Sequence, residues 1–329
     1  MNIDKKDIVK RRLLVLLKFL YEQTDEDHQI TSDQLVEYLR EQKVPANKKT
    51  LKSDLDLMVE FGLDIVTVSS KPNRYFWGNR KFEIPELKLL IDAVSSSRFI
   101  TQKKSWQLGK KLSELASSNQ KKELKRHIFA TNRVKNSNEQ IYYYVDRIND
   151  AINRKRKISF QYTEYDGNKK KVLRNDGEVY ELSPYALFWN EDYYYVVGYS
   201  EKHENVSVFR TDRLHNPEII EEKAAKRPAD FSIDNYSDKV FEMYDGEIVK
   251  VKMECKTYLM KYIIDRFGYA VETEKKSDEI FIATAEVSLS PIFYGWVFQF
   301  GGDMRILAPN KAVKGIIEMA EKLIERETI

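Results

Sequence analysis

Cysteine is almost absent from this chain: Cys255 stands alone among 329 residues. That excludes an intramolecular disulfide and any cysteine-rich metal site, and makes a reducing cytoplasm the expected location. Long apolar runs are missing too. No stretch approaches the roughly 18 residues a membrane-spanning helix needs, so no membrane partner is expected. The opening MNIDKKDIVKRR is charged and leads into an amphipathic segment, without the apolar core or small-residue cleavage site of a signal peptide. The histidines His28, His127, His203 and His215 are scattered, none at metal-ligand spacing. There is no G-x-x-x-x-G-K-[ST] loop, no G-x-G-x-x-G turn and no G-x-S-x-G elbow. No metal, no cofactor and no catalytic set is therefore expected. Repeats and low-complexity tracts are absent as well.

What is present is charge, and it is unevenly spread. Charged residues make up 33% of the chain and hydrophobic ones 42%, with a net charge of only +3, which suits a folded and highly charged protein of two or three domains. Between Thr101 and Arg174, however, 19 Lys and Arg face 7 Asp and Glu, so the remainder is acidic on balance. Such asymmetry fits a nucleic-acid footprint and equally a solvated helical linker.

The first 80 residues have a definite order. Ile8, Leu13, Leu14, Leu16, Leu17 and Leu20 form a helical stripe. Thr31 or Ser32 caps a second helix, LVEYLREQ, because a hydroxyl accepts from free backbone N–H groups. Asn47 caps a third, KKTLKSDLDLMVEFG, which Gly62 ends. Two short strands, 64–69 and 74–77, flank a turn at Ser70-Lys71-Pro72-Asn73. Three helices and a hairpin give winged helix-turn-helix order. In the third helix Leu51, Leu55, Met58 and Val59 are expected inside. Lys48, Lys49, Thr50, Lys52 and Ser53 stand outside at its start, ahead of the acids Asp54, Asp56 and Glu60. Donors plus the positive helix end suit phosphate, and Lys71 and Arg74 flank the turn as further contacts. Asn47, Lys49, Thr50, Leu51, Ser53, Asp54 and Leu55 resemble the S-x-R-T-I-x-R-D-L run of DeoR-type winged helices, with Ser53 where that run has a basic residue.

Residues 83–131 read as helical, with LKLLIDAVSSSRFI and SWQLGKKLSELA at helical spacing and a basic helix over 121–128. A further amphipathic helix covers 142–153. From Ile158 the period becomes two: ISFQYTEY, a turn at Asp166-Gly167-Asn168, KKVLR, then strands over 178–187, 193–199 and 206–210. Five short strands suit a small barrel or curled sheet. A polar connector over 221–236 precedes a last α+β unit with strands at 247–255, 280–287 and 305–307 and helices at 259–267, 291–300 and 310–326.

ISFQY (158–162), LSPYALF (182–188), YYVVGY (194–199) and FRTDRL (209–214) occur in the order and spacing of the WYL domain, and this part of the chain resembles that family. The family's name-giving Trp-Tyr-Leu falls on Tyr194, Tyr195 and Val196, where the central Tyr matches. The resemblance implies a small SH3/Sm-like β-barrel that senses a ligand, often a nucleotide or nucleic-acid fragment, on aromatic and basic residues: here Tyr162, Tyr185, Tyr195, Arg210 and Arg213. A guanidinium grips phosphate in two bonds, and a ring stacks on a base. Arg210 and Arg213 serve one site only if the strand ends or bulges near Thr211-Asp212. The other reading pairs Asp212 with an arginine and puts the tyrosines in the core. GWVFQFGGDMRILAP (295–309) resembles the C-terminal WYL extension, which implies dimer contacts or closure over the ligand face.

The expected architecture is multidomain α+β: a winged helix-turn-helix at 1–80, a helical linker at 81–140, the WYL sensor at 141–222 and the extension at 223–329. The expected function is a cytoplasmic, homodimeric transcriptional regulator that binds double-stranded DNA and an anionic, nucleotide-like ligand. A nucleic-acid-acting enzyme and a nonspecific single-strand-binding protein are the alternatives.

Overall fold

A computed structural model of the chain describes residues 5–125, 134–190, 192–229, 231 and 248–327. It divides into two compact units, Met1–Glu139 and Gln140–Ile329.

The first unit begins with α1 (Lys5–Gln23), β1 (Ile30–Thr31), α2 (Ser32–Glu41), α3 (Lys48–Glu60), β2 (Ile65–Val68) and β3 (Arg74–Trp77). Thr31 closes a capping box with Gln34 at the start of α2, and Asn47 caps α3 by accepting from the Thr50 N–H. Gly62 follows α3 at φ +88, a conformation in which a side chain is strained. Leu16, Leu20, Leu35, Leu39, Leu51, Leu55 and Met58 form the core that these helices share with Ile65 and Tyr75 of the sheet. Truncating one of these leucines to Ala costs about 2–5 kcal/mol. Two sequence expectations fail here. Val59, read as inward, is 49% exposed, while Asp54, read as an outer acid, is buried against Arg12. β1 was not foreseen, because two residues paired to β3 leave no period to read.

The helical stretch beyond comprises three helices, one for each segment read from the sequence: α4 (Ile84–Ser96), α5 (Gln102–Ser113) and α6 (Ser118–Leu124). Thr101 and Ser117 cap the second and third, so the backbone must leave the helix just before each cap. The remainder of the predicted basic helix lies outside the described residues.

The second unit opens with α7 (Ile141–Arg154), stopped by Lys155 at φ +53. It packs Ile148 and Ala151 on a sheet built from β4 (Arg156–Tyr165), β5 (Lys171–Leu173), β6 (Val179–Asn190), β7 (Tyr193–Ser200), β8 (Asn205–Arg210) and β9 (Leu214–Lys223). The order is β5-β4-β6-β7-β8, with β9 on β4. Among the described residues no pairing closes it, so the predicted small barrel is an open sheet. β9 is the unforeseen sixth strand and takes up the start of the expected polar connector. Pro217, Asn216 at φ +47 and a register shift opposite Ser159/Gln161 interrupt its alternation. Gly198 lets β7 lie against β6: a Cβ there would fall 2.3 Å from the Ser183 carbonyl oxygen.

The remaining elements are β10 (Ile248–Lys256), α8 (Met260–Phe267), β11 (Glu272–Lys275), β12 (Ile280–Ser288), α9 (Pro291–Phe298), β13 (Met304–Ala308) and α10 (Asn310–Glu327). The antiparallel order β11-β12-β10-β13 is a split βαβ arrangement. β11 was missed because Glu-Thr-Glu-Lys is wholly exposed and carries no apolar residue. No helix among the described residues is long and apolar enough to cross a membrane.

Candidate nucleic-acid and ligand interfaces

The start of α3 owes its orientation to two devices. One is the Asn47 cap, whose side-chain oxygen accepts from the Thr50 N–H at 2.9 Å and from the Thr50 hydroxyl at 3.1 Å. The other is a buried fork. Arg12 Nε donates to Asp54 Oδ2 at 2.5 Å and its Nη2 to Oδ1 at 3.2 Å, which binds α3 to α1. The β2–β3 turn is fixed in turn: Ser70 Oγ donates to the Pro72 carbonyl at 2.6 Å, and the Ser32 N–H donates to the Asn73 carbonyl at 2.9 Å.

These restraints bring Lys48, Lys52 and Lys71 to one groove of about 480 Å³, with Ser32, Asp33, Ser70, Asn73 and Tyr75 among its other walls. Lys48 and Lys52 share a helix face because they are four residues apart. Lys49 and Ser53 are exposed one position further round. Arg74 is exposed but belongs to a separate depression with Phe19, His28 and Gln34. Asn47 uses its side-chain oxygen, and Thr50 its hydroxyl proton, in the cap. Asp33 was not foreseen at this surface. Its carboxylate lies 2.5 Å from Lys48 Nζ, a meeting between two helices that no local pattern encodes.

In the second unit β8 ends at Arg210, and Thr211–Arg213 form a single 3-10 turn before β9. The chain therefore breaks where two arginines three apart must break to serve one place. The turn is pinned on both sides: Thr211 Oγ1 donates to the Tyr194 carbonyl at 3.1 Å, and Thr163 Oγ1 to the Arg213 carbonyl at 2.8 Å. Arg210 forks onto Asp212 at 3.1 and 2.8 Å, and its Cζ lies 3.5 Å from the centroid of the Tyr193 ring. Burial disfavours its charge, but the hydrogen bond and charge of Asp212 outweigh that and raise its pKa above the ordinary range. Tyr162 is buried, accepts from the Arg210 N–H at 3.3 Å and packs edge-on to Phe209. Burial raises its hydroxyl pKa, with Asp212 adding and the Arg213 and Arg210 charges opposing. Tyr195 is buried opposite Arg210 in the β7–β8 register and stacks on Phe188 at 5.8 Å. Arg213 is exposed.

Tyr185 does not join this corner. A register shift between Pro184 and Ala186 turns it elsewhere, its hydroxyl donating to the Lys226 carbonyl at 3.1 Å and its ring against Phe231. The geometry thus contains the ion pair and core tyrosines of the second reading, together with the strand break that the first required. Tyr193 was overlooked, since nothing in YYYVVGY marks which ring lies under an arginine.

A small open sheet capped by an amphipathic helix, with an Arg-Thr-Asp-Arg corner, precedes a split βαβ unit. The WYL domain family model matches residues 143–219, and that of the WCX domain matches 247–324. The chain thus carries a WYL domain followed by a WCX domain. Arg210, Arg213 and Tyr162 all lie within its WYL domain, and Trp296 and Gly301 within its WCX domain, where Trp296 packs edge-on to Phe267 and Phe300 as a core residue. One relative is an uncharacterized HTH-type transcriptional regulator, YobV of Bacillus subtilis (strain 168), 26% identical over 184 residues, or 55% of each chain. Among solved structures, proteasome accessory factor B/C (PafBC) of Arthrobacter aurescens covers 94% of this chain and 46% of its own. It is 16% identical with a TM-score of 0.28, a likeness too slight to argue from. The chain spans about half the length of these relatives.

Proposed function

We propose that this WYL protein is a ligand-responsive transcriptional regulator that binds double-stranded DNA as a homodimer in the cytoplasm. Residues 1–80 serve as a winged helix-turn-helix, 81–140 as a linker, 141–222 as the sensor and 223–329 as its extension. The groove shared by Lys48, Lys52 and Lys71 carries the DNA half of this reading. Three ammonium groups between a helix start and a hairpin turn suit a sugar–phosphate strand, while Lys49 and Ser53 stand outward for further contacts. The printed name of the Bacillus relative, an HTH-type regulator, supports the same reading. A two-fold dimer presents two such helices, so a pseudo-palindromic operator is expected.

The decisive measurement is duplex affinity across a salt series. Lys49→Ala and Lys52→Ala should each weaken binding and flatten the slope of log K against log salt by roughly one. Unchanged affinity and slope in both variants sinks the DNA assignment. For the sensor half, an anionic nucleotide-like ligand binds at the Arg210–Arg213 corner, Arg213 being the exposed partner. Replacing both arginines should abolish any ligand-dependent change in DNA affinity while leaving basal binding. A collapse of thermal stability instead makes the Arg210–Asp212 pair structural.

A further inference from the structure

Asp33 is the one acid among the groove's wall residues, where the other charged groups are Lys48, Lys52 and Lys71. It is not consumed by the start of its own helix: the capping box of α2 uses Thr31 and Gln34. Its carboxylate reaches across to Lys48 Nζ at 2.5 Å, and both side chains are more than half exposed, at 57% and 61%. An exposed pair of this kind is weak and screened by salt, so it adds little to the fold. It has a larger consequence for a polyanion. A phosphate entering the groove must take Lys48 from Asp33 and then sit beside a like charge.

We infer that Asp33 is an affinity-setting residue, an internal competitor that removes about one phosphate contact from the DNA face. The inference rests on the DNA-binding reading above. It keeps the protein from holding arbitrary duplex too tightly, because the contact it removes is of the sequence-independent kind.

The test uses the full chain and a short duplex of mixed sequence, followed by fluorescence anisotropy across a salt series. Circular dichroism confirms that each variant is folded. One recovered phosphate contact steepens the salt slope by roughly 0.9 and tightens binding about fivefold near 0.15 M salt. Asp33→Asn should show both effects. In a Lys48→Ala background the gain should shrink to the small part that comes from lifting the like-charge repulsion of Asp33. If Asp33→Asn binds no better than the parent while Lys49→Ala and Lys52→Ala still weaken binding, Asp33 has no such role and the DNA reading stands. If the gain survives intact in the Lys48→Ala background, the competition does not run through Lys48 and the inference is overturned. If neither the parent nor any variant holds the duplex, the DNA reading fails and takes this inference with it.

Discussion

Replacing Arg12 by Met tests whether the orientation of α3 depends on one buried ion pair. The side chains of Arg12 and Asp54 are only 7% and 9% exposed, and two hydrogen bonds join them over 42 positions of sequence. Methionine keeps the apolar stem of the side chain and its packing but leaves the Asp54 carboxylate buried without its guanidinium. Removing one partner of such a pair costs about 3–5 kcal/mol, a large share of the stability of a domain this size. Arg12→Met together with Asp54→Leu removes both charges and should recover most of that loss, since the fork itself adds little beyond cancelling its own desolvation. Urea unfolding of the three proteins, followed by circular dichroism, gives the double-mutant cycle. The single variant should also lose duplex affinity, because α3 is no longer held on α1 at a fixed angle. A single-variant loss below about 1 kcal/mol would refute the reasoning, since an exposed pair gives as much. A double variant no more stable than the single one would show that the pair is worth more than burial of its replacements.

Two further outcomes follow from the second unit. Gly198→Ala puts a methyl group 2.3 Å from the Ser183 carbonyl oxygen, so β6 and β7 must part; a loss of about 1–3 kcal/mol in denaturant unfolding is expected, and a neutral result would mean the strands are looser than described. Burial pushes the Cys255 thiol up to about 12, with the Glu254 charge adding to it. A thiol raised above its unfolded value supports folding below the unfolded pKa and loses that contribution as pH climbs through the window up to the folded one. A disulfide-exchange reagent at mildly alkaline pH should therefore modify Cys255 in native protein at least a hundredfold more slowly than in urea. Comparable rates would contradict its burial.

Much of the outline was legible from residue order because it depends on neighbours along the chain. Capping at Thr31 and Asn47, the stop at Gly62 and the turn before β5 are local events, decided within four residues by hydrogen bonds and backbone freedom. The FRTDRL landmark likewise marked where β8 breaks, since the turn occupies its third to fifth residues. The division into α4, α5 and α6 was legible too, since the apolar spacing came in separate segments, and the caps Thr101 and Ser117 stand in the breaks between them. β9 and β11 depended on partners, because their own residues hardly alternate, and pairing with β4 and β12 supplies the hydrogen bonds that make them strands. The interfaces divide the same way. That lysines crowd the start of α3 is a property of the sequence. That Lys48 meets Asp33, that Asp54 lies inside against Arg12, and that Tyr193 lies beneath Arg210 were decided only when separate elements packed. A charge takes its partner from whatever the fold sets within a few ångströms, and that distance is fixed by the core, not by position along the chain.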